Sequence, residues 1–347
     1  MDSERWEQVE RLYHAALELA PGERAALLET ANPEVRSEVE SLIGYAGRAE
    51  GMLEVRPTIE QPEPTGPVFP AGEVLDRRFR IVRLIGVGGM GEVYEASDLV
   101  LGEAIALKTI RPDVAGKEIL RARLVEEVRA AKQIVHPGIC RIYDLHLHGA
   151  GDLLFLTMEL LRGETLAARL ARSGAMRLED AAMVAEQLAE ALTAAHGVQV
   201  IHRDLKPENI LLEPAERGAV RVVITDFGLA RSAERSGGLQ RLTRTGEIVG
   251  TLAYMAPEQL LCQPLTPAAD IYALGVVLFE MVTGTRPFSG ESRLAAAAKR
   301  VTLPPPSPRI IAPNLPVAWE RAILRCLERD AGNRFGSAAE VWRAIAG

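Results

Sequence analysis

Residues 201–212 read IHRDLKPENILL: an imidazole, a guanidinium, a carboxylate, an ammonium and an amide within His202–Asn209, between apolar flanks. Downstream, VRVVITDFG puts Asp226 at the end of an apolar, β-branched run. Phosphoryl transfer from a nucleoside triphosphate needs such a set. It requires a carboxylate to orient the acceptor hydroxyl, Mg2+ on the phosphates, and cations to spread the developing charge. In that scheme Asp204 is the base or orienting group and Lys206 the cation near the transferred group. Mg2+ is a hard cation that takes oxygen ligands, which suits the Asp226 carboxylate and the Asn209 amide oxygen. The bland alternative for the loop, a salt-bridged surface turn, leaves the TDFG stretch unexplained.

Phosphates also need a cradle. IGVGGMGEV supplies Ile85, Gly86, Val87, Gly88, Gly89, Met90, Gly91, Glu92 and Val93, with Gly86, Gly88 and Gly91 in a G-x-G-x-x-G pattern. Positions without side chains let backbone N–H groups approach phosphate oxygens. A dinucleotide-binding fold uses the same letters but requires a helix after them. Here EVYEAS follows, which reads as a strand. Lys108 ends the apolar strand AIALK, where a lysine either snorkels to solvent or points an ammonium at phosphates. In the second case it needs an anionic partner, and the next helix offers Glu126 and Glu127. The spacing to His136-Pro137 selects Glu127.

The elements that must position these groups fall into two kinds. Residues 78–86, 92–97, 103–110 and 152–160 read as strands, interrupted by a helix over 119–134. Beyond Gly163 helices dominate: 179–195 with Gly197 as its stop, 270–283 and 317–328. The apolar run 271–279 is far shorter than the ~20 residues that span a bilayer and reads as a buried core helix. The expected fold class is α+β, a small sheet-rich lobe before a larger helical one, with a ligand cleft between unlike lobes. The run 303–316 reads as a loop between helices rather than a proline-rich ligand.

Ahead of this lies a different region. Residues 1–55 read as amphipathic helices, with Asn32-Pro33-Glu34 as a helix start, and they carry the whole net charge of −7. They form either a solubilising cap or a docking module for a partner. Residues 56–73 are rich in proline and read as an extended linker. The overall acidity argues against a nucleic-acid or anionic-membrane partner. Three scattered cysteines and the lack of an apolar leader point to a reducing, cytoplasmic setting.

GVGGMGEV, AIALK, HRDLKPEN, DFG and MAPEQ occur in that order, and with them the chain resembles the eukaryotic-type (Hanks-type) serine/threonine protein kinase family over about residues 75–345. The Arg/Ala-rich composition and MAPEQ suggest a bacterial member. The resemblance implies a two-lobed protein kinase fold with N-lobe 74–157, hinge 158–163 and C-lobe 164–347. It implies ATP and Mg2+ as cofactors and proteins as substrates. Adenine is then expected at the hinge near Glu159–Leu161, with Met158 as gatekeeper and Val93, Ala106 and Leu211 around the base. Asp270 resembles the aspartate that braces the catalytic loop, and Arg334 the arginine paired with Glu258. Lys206, and Thr251 at the acceptor side, imply transfer to Ser or Thr. Arg203 beside the base calls for a counter-charge, which phosphate on Thr243 or Thr245, flanked by Arg241 and Arg244, can supply. Two rivals stand beside this reading: a nucleotide-binding pseudokinase scaffold and a small-molecule kinase on the same fold.

Overall fold

The computed structural model describes residues 67–88, 91–110, 118–149, 153–215, 218–227, 251–290 and 293–347, with Leu27, Asn32 and Arg36 as isolated positions. The chain divides into two compact units, Met1–Gly66 and Pro67–Gly347. In the first, Leu27 and Arg36 are helical, and the Arg36 N–H donates to the Asn32 carbonyl at 2.8 Å, as a helix starting at Asn32 requires. The remaining expectations for residues 1–55 lie outside the described residues, as do Gly89, Met90, Thr243 and Thr245.

The second unit begins with an antiparallel sheet in the order β1-β2-β3-β4-β6-β5. Its strands are β1 (Val74–Leu75), β2 (Phe79–Gly88), β3 (Gly91–Asp98), β4 (Glu103–Ile110), β5 (Ile142–His148) and β6 (Leu153–Met158). Strand alternation gives the sheet two distinct faces. Ile105 and Leu107 of β4 join Phe79, Ile81, Tyr94, Ala96 and Phe155 in one apolar cluster. On the opposite face, Leu154 and Leu156 pack with Ile110 against Leu124 and Val128 of helix α1 (Glu118–Ala131). Lys108 lies between Leu107 and Thr109 and so points to this second face.

One boundary differs from the sequence reading. Residues 67–73, expected in the linker, belong to the folded lobe. Phe69 is buried in the outer cluster, and its N–H donates to Tyr94 Oη at 3.0 Å. The Val68 N–H donates to Glu92 Oε2 at 2.9 Å. Proline-rich composition marks an extended backbone, but one aromatic with a sheet face to cover is enough to dock it.

The rest is mainly helical: α2 (Leu166–Ser173), α3 (Leu178–Gly197), α4 (Pro257–Leu260), α5 (Ala268–Thr283), α6 (Arg293–Thr302), α7 (Val317–Cys326) and α8 (Ala338–Ala346). A small sheet, β7 (Glu164–Thr165), β8 (Ile210–Pro214) and β9 (Val220–Ile224), carries the catalytic-type loops at its ends. Helix α5 is the hub. Every residue from Ala269 to Phe279 is buried, which explains the apolar run 271–279. Gly275 is required there because a Cβ would come within 2.5 Å of Cys326 Cβ on α7. Helix α3 ends at Gly197 as expected, and the left-handed residue that turns the chain is Gln199 (φ +60°). The run 303–316 connects α6 to α7 as expected, with a short 3-10 turn at Pro308–Ile310.

The β3–β4 turn, which sets the register of the Lys108 strand, is closed by Asp98. Its carboxylate accepts from Arg78 Nε (3.0 Å) and Nη2 (2.7 Å), and from the Val100 (3.0 Å) and Leu101 (3.2 Å) N–H groups. The hydrogen bonds from Arg78 hold this carboxyl down at about 2. A folded-state value below the unfolded one stabilises the fold above about pH 4, and that contribution disappears as pH falls toward 2. Asp98→Asn is therefore expected to lower the urea midpoint at neutral pH, with the gap to wild type closing as pH falls from about 4 to about 2. Urea titrations at stepped pH check this.

Candidate active site

The glycine-rich stretch forms a β-hairpin, with Gly86 opposite Val93, Val87 opposite Glu92 and Gly88 opposite Gly91. That excludes the strand–helix context of a dinucleotide fold. Ile85 through Gly88 are exposed, whereas Gly91, Glu92 and Val93 are half-buried. Gly91 has φ +143°, and a Cβ there would sit 2.1 Å from the Thr109 carbonyl oxygen. No other residue fits. Thr109 completes the contact by accepting the Glu92 N–H on Oγ1 at 2.8 Å.

Cross-strand pairing sets the neighbouring positions. Val93 faces Lys108, and Ala106 faces Met158 at the end of β6. Glu159 follows directly, its N–H donating to the Arg141 carbonyl at 2.9 Å. Leu211 lies on β8 opposite Val223, and Leu161 is half-buried beyond the β6 end.

Lys108 is 4% exposed, and its ammonium sits 2.6 Å from Asp226 Oδ1 across 118 residues of sequence. This corrects the partner expected from sequence: Lys108 pairs with Asp226 and not with Glu127, which lies half-buried on α1. The physical reason is the backbone of Asp226. At φ +63° it turns the carboxylate straight at the amine, and a desolvated ion pair strengthens as it shortens. Burial pushes the Asp226 carboxyl up, but the Lys108 charge and hydrogen bond outweigh burial and hold it below its usual value.

The loop around Asp204 is built from the backbone outward. Asp270, 1% exposed at the start of α5, accepts the His202 N–H on Oδ2 (2.8 Å) and the Arg203 N–H on Oδ1 (2.9 Å). His196 Nε2 lies 2.8 Å from the same Oδ2. Arg203 has φ +70°, a left-handed conformation that costs a non-glycine residue about 1–3 kcal/mol. Hydrogen bonds to an ionised group contribute about 1.5–3 kcal/mol each, so the two from Asp270 offset it. His202 is fully buried and joins the two motifs. Its Nδ1 accepts the Asp204 N–H at 3.2 Å, so Nε2 carries the proton donated to the Thr225 carbonyl at 2.8 Å. Phe227 packs edge-on against its ring at 4.5 Å.

Asp204 Oδ2 lies 2.8 Å from Lys206 Nζ and 3.2 Å from Asn209 Nδ2, which also donates to the Asp204 carbonyl at 2.8 Å. With Nδ2 turned to Asp204, the Asn209 Oδ1 faces the other way. The Asn209 carbonyl accepts the Thr225 N–H at 2.9 Å, bringing this strand end beside Asp226. Among the described residues no cluster of three or more His, Cys, Asp or Glu side chains is arranged to hold a metal. Two oxygen donors, Asp226 and Asn209, fit Mg2+ that derives its other ligands from phosphates and water. The backbone of Thr251 lies in a short turn, Thr251–Ala253.

Sequence reasoning missed Arg221. Its Nε donates to the Pro137 carbonyl (2.9 Å) and its Nη1 to Glu159 Oε1 (2.8 Å) and Glu213 Oε2 (2.9 Å), tying Glu159, just past β6, to the small sheet. The available signal was a lone arginine inside VRVVI. Arg300 was also missed: it is 3% exposed, with Nη1 donating to the Leu252 carbonyl and, at 3.1 Å, to the Met255 carbonyl.

The pattern of the family described as Protein kinase domain matches residues 79–342. The chain is 37% identical over 278 residues to serine/threonine-protein kinase PknA of Mycobacterium tuberculosis, covering 79% of this chain and 62% of that protein. It is 35% identical over 270 residues to serine/threonine-protein kinase PrkC of Bacillus subtilis, covering 78% and 40%. The crystal structure of the Mycobacterium tuberculosis PknI kinase domain superposes with a TM-score of 0.63 at 25% identity, covering 80% of this chain and 98% of that one. The chain belongs to the protein kinase family, in company with bacterial serine/threonine kinases of the eukaryotic type. It spans less than two thirds of the length of the curated relatives described here.

The expected pair between Arg334 and Glu258 forms in full. Arg334 donates all five N–H groups: to Glu258 Oε1 (2.7 Å) and Oε2 (2.8 Å), and to the carbonyls of Ala268 (2.8 Å), Glu328 (2.8 Å) and Arg329 (3.0 Å). Breaking a buried pair leaves an uncompensated charge, so Arg334→Met is expected to cost about 3–5 kcal/mol. Equilibrium urea unfolding measures it; a loss below about 1 kcal/mol would contradict the assignment.

Proposed function

We propose that this chain is a Mg2+- and ATP-dependent serine/threonine protein kinase. The observation that carries the reading is the convergence of Lys108 and Asp226 at 2.6 Å, with His202 linking the strand end at Thr225 to the Asp204 loop. In the reaction, the acceptor hydroxyl oxygen forms a bond to the γ-phosphorus, the bridging P–O bond to ADP breaks, and the hydroxyl proton passes to Asp204. Lys206, on the same carboxylate oxygen as Asn209, supplies positive charge beside the transferred group. Mg2+ held by Asp226 and Asn209 Oδ1 would neutralise charge on the phosphate oxygens. Lys108 contacts Asp226 through Oδ1, which leaves Oδ2 for that cation, and the ammonium beside it would meet the phosphates.

The Gly86–Val93 hairpin covers the phosphates in this reading, and the backbone of Glu159 and Leu161 reads adenine between Val93, Ala106 and Leu211. Met158 is the gatekeeper. Thr251 and Lys206 support a Ser/Thr acceptor in a protein substrate. Residues 1–55 form a docking or solubilising appendage, and the setting is cytoplasmic; among the described residues no helix is long and apolar enough to cross a membrane. A pseudokinase scaffold is disfavoured because Lys108, Asp204, Asn209 and Asp226 are all in place.

Incubating the chain with labelled ATP, Mg2+ and generic protein acceptors is expected to yield phosphoserine or phosphothreonine. Asp204→Ala should lower turnover about 10²–10⁴-fold, and chelation of Mg2+ should abolish it. Wild-type turnover in Asp204→Ala, or phosphotyrosine as the sole product, refutes the reading. Autophosphorylation at Thr243 or Thr245 is expected to raise activity through Arg203, detected by mass spectrometry; full activity in a Thr243→Ala/Thr245→Ala double variant overturns that part alone.

A further inference from the structure

Gln259, on the short helix α4, uses one side chain to join two parts of the site. Its Oε1 accepts the Ala256 N–H at 2.9 Å, and its Nε2 donates to the carbonyl oxygen of Arg203 at 2.8 Å, 56 residues away in sequence. The position of that second bond gives it weight. Arg203 is the strained residue at φ +70°, and the peptide unit joining it to Asp204 sets the direction in which the Asp204 side chain leaves the backbone. The N–H end of this peptide donates to His202 Nδ1 at 3.2 Å, inside the same loop. Its carbonyl end is held by Gln259. The peptide before it is held by Asp270 through the Arg203 N–H. Asp270 therefore secures the entry to the strained residue and Gln259 its exit.

The other end of the bridge is also anchored. Arg300 holds the carbonyls of Leu252 and Met255, and the half-buried Gln259 accepts from the next N–H along, that of Ala256. The Arg203 carbonyl is thus referenced, through one amide, to backbone fixed from α6. We propose that Gln259 is a positioning residue for Asp204: it fixes the peptide plane directly before the carboxylate and couples that plane to the Leu252–Ala256 backbone. The inference rests on the kinase reading above, since it assigns Asp204 the acceptor-orienting role. Gln259 touches no reacting atom. Its effect is on the fraction of time Asp204 is aimed correctly, so it acts on turnover and not on nucleotide binding.

The test is the Gln259→Glu variant, which keeps an oxygen for the Ala256 N–H but replaces the donor facing the Arg203 carbonyl with an acceptor. Gln259→Met, of similar length, removes both bonds. In steady-state assays with Mg2+, ATP and a protein acceptor, both variants are expected to show kcat lowered about tenfold or more, the rate equivalent of about 1.4 kcal/mol. The KM for ATP should stay within about twofold of wild type, and the thermal midpoint close to it. Undiminished kcat in both variants overturns the proposal. So does a joint loss of nucleotide affinity, thermal midpoint and kcat, which would make Gln259 a general structural residue. A wild-type chain without turnover refutes the kinase reading itself, and the inference with it.

Discussion

The site depends on one buried carboxylate. Asp270 heads the most deeply buried helix of the larger lobe, and its two oxygens take the backbone N–H groups of His202 and Arg203. A left-handed arginine is a costly choice of backbone, and it persists because its surroundings leave it no alternative. The apolar length of α5 serves this purpose as much as it serves packing. A helix buried without a break from Ala269 to Phe279 has few ways to shift, so a carboxylate at its start is a rigid reference for the loop above it.

From that reference the geometry passes outward through backbone contacts. His202 gives its Nε2 proton to Thr225, and the Asn209 carbonyl takes the Thr225 N–H, so the β9 end and the Asp204 loop share one hydrogen-bonded frame. Asp226 extends from this frame in its own left-handed conformation and meets Lys108 from the sheet-rich lobe. Two residues in rare backbone states thus flank the charges that a triphosphate and its metal would meet. The strain lies at the site, while the stabilising burial lies below it in α3, α5 and α7.

Much of this was legible in the chain. AIALK read as an apolar strand, and only the sheet decided the face of Lys108, opposite to the one where Ile105 and Leu107 are buried together. The strand after the glycines gave a hairpin where a dinucleotide fold would need a helix. Less legible was anything decided by a single long-range contact. Phe69 looked like linker because its neighbours are prolines, yet it has a sheet face to cover. Arg221, Arg300 and Gln259 have no local pattern: each acts on backbone carbonyls or carboxylates far away in sequence.

By itself, the sequence determined the order of elements, the α+β class and the side chains proposed to react, because periodicity and glycine placement are local properties and the chemistry demands particular functional groups. The tertiary structure alone decided which charges meet. The sequence offered Glu126 and Glu127 as partners for Lys108, whereas the structure sets the Asp226 carboxylate there, at 2.6 Å. Local rules fix where a side chain points relative to its own strand or helix. They do not fix the distance between elements brought together from 118 residues apart, and ion pairing depends on that distance.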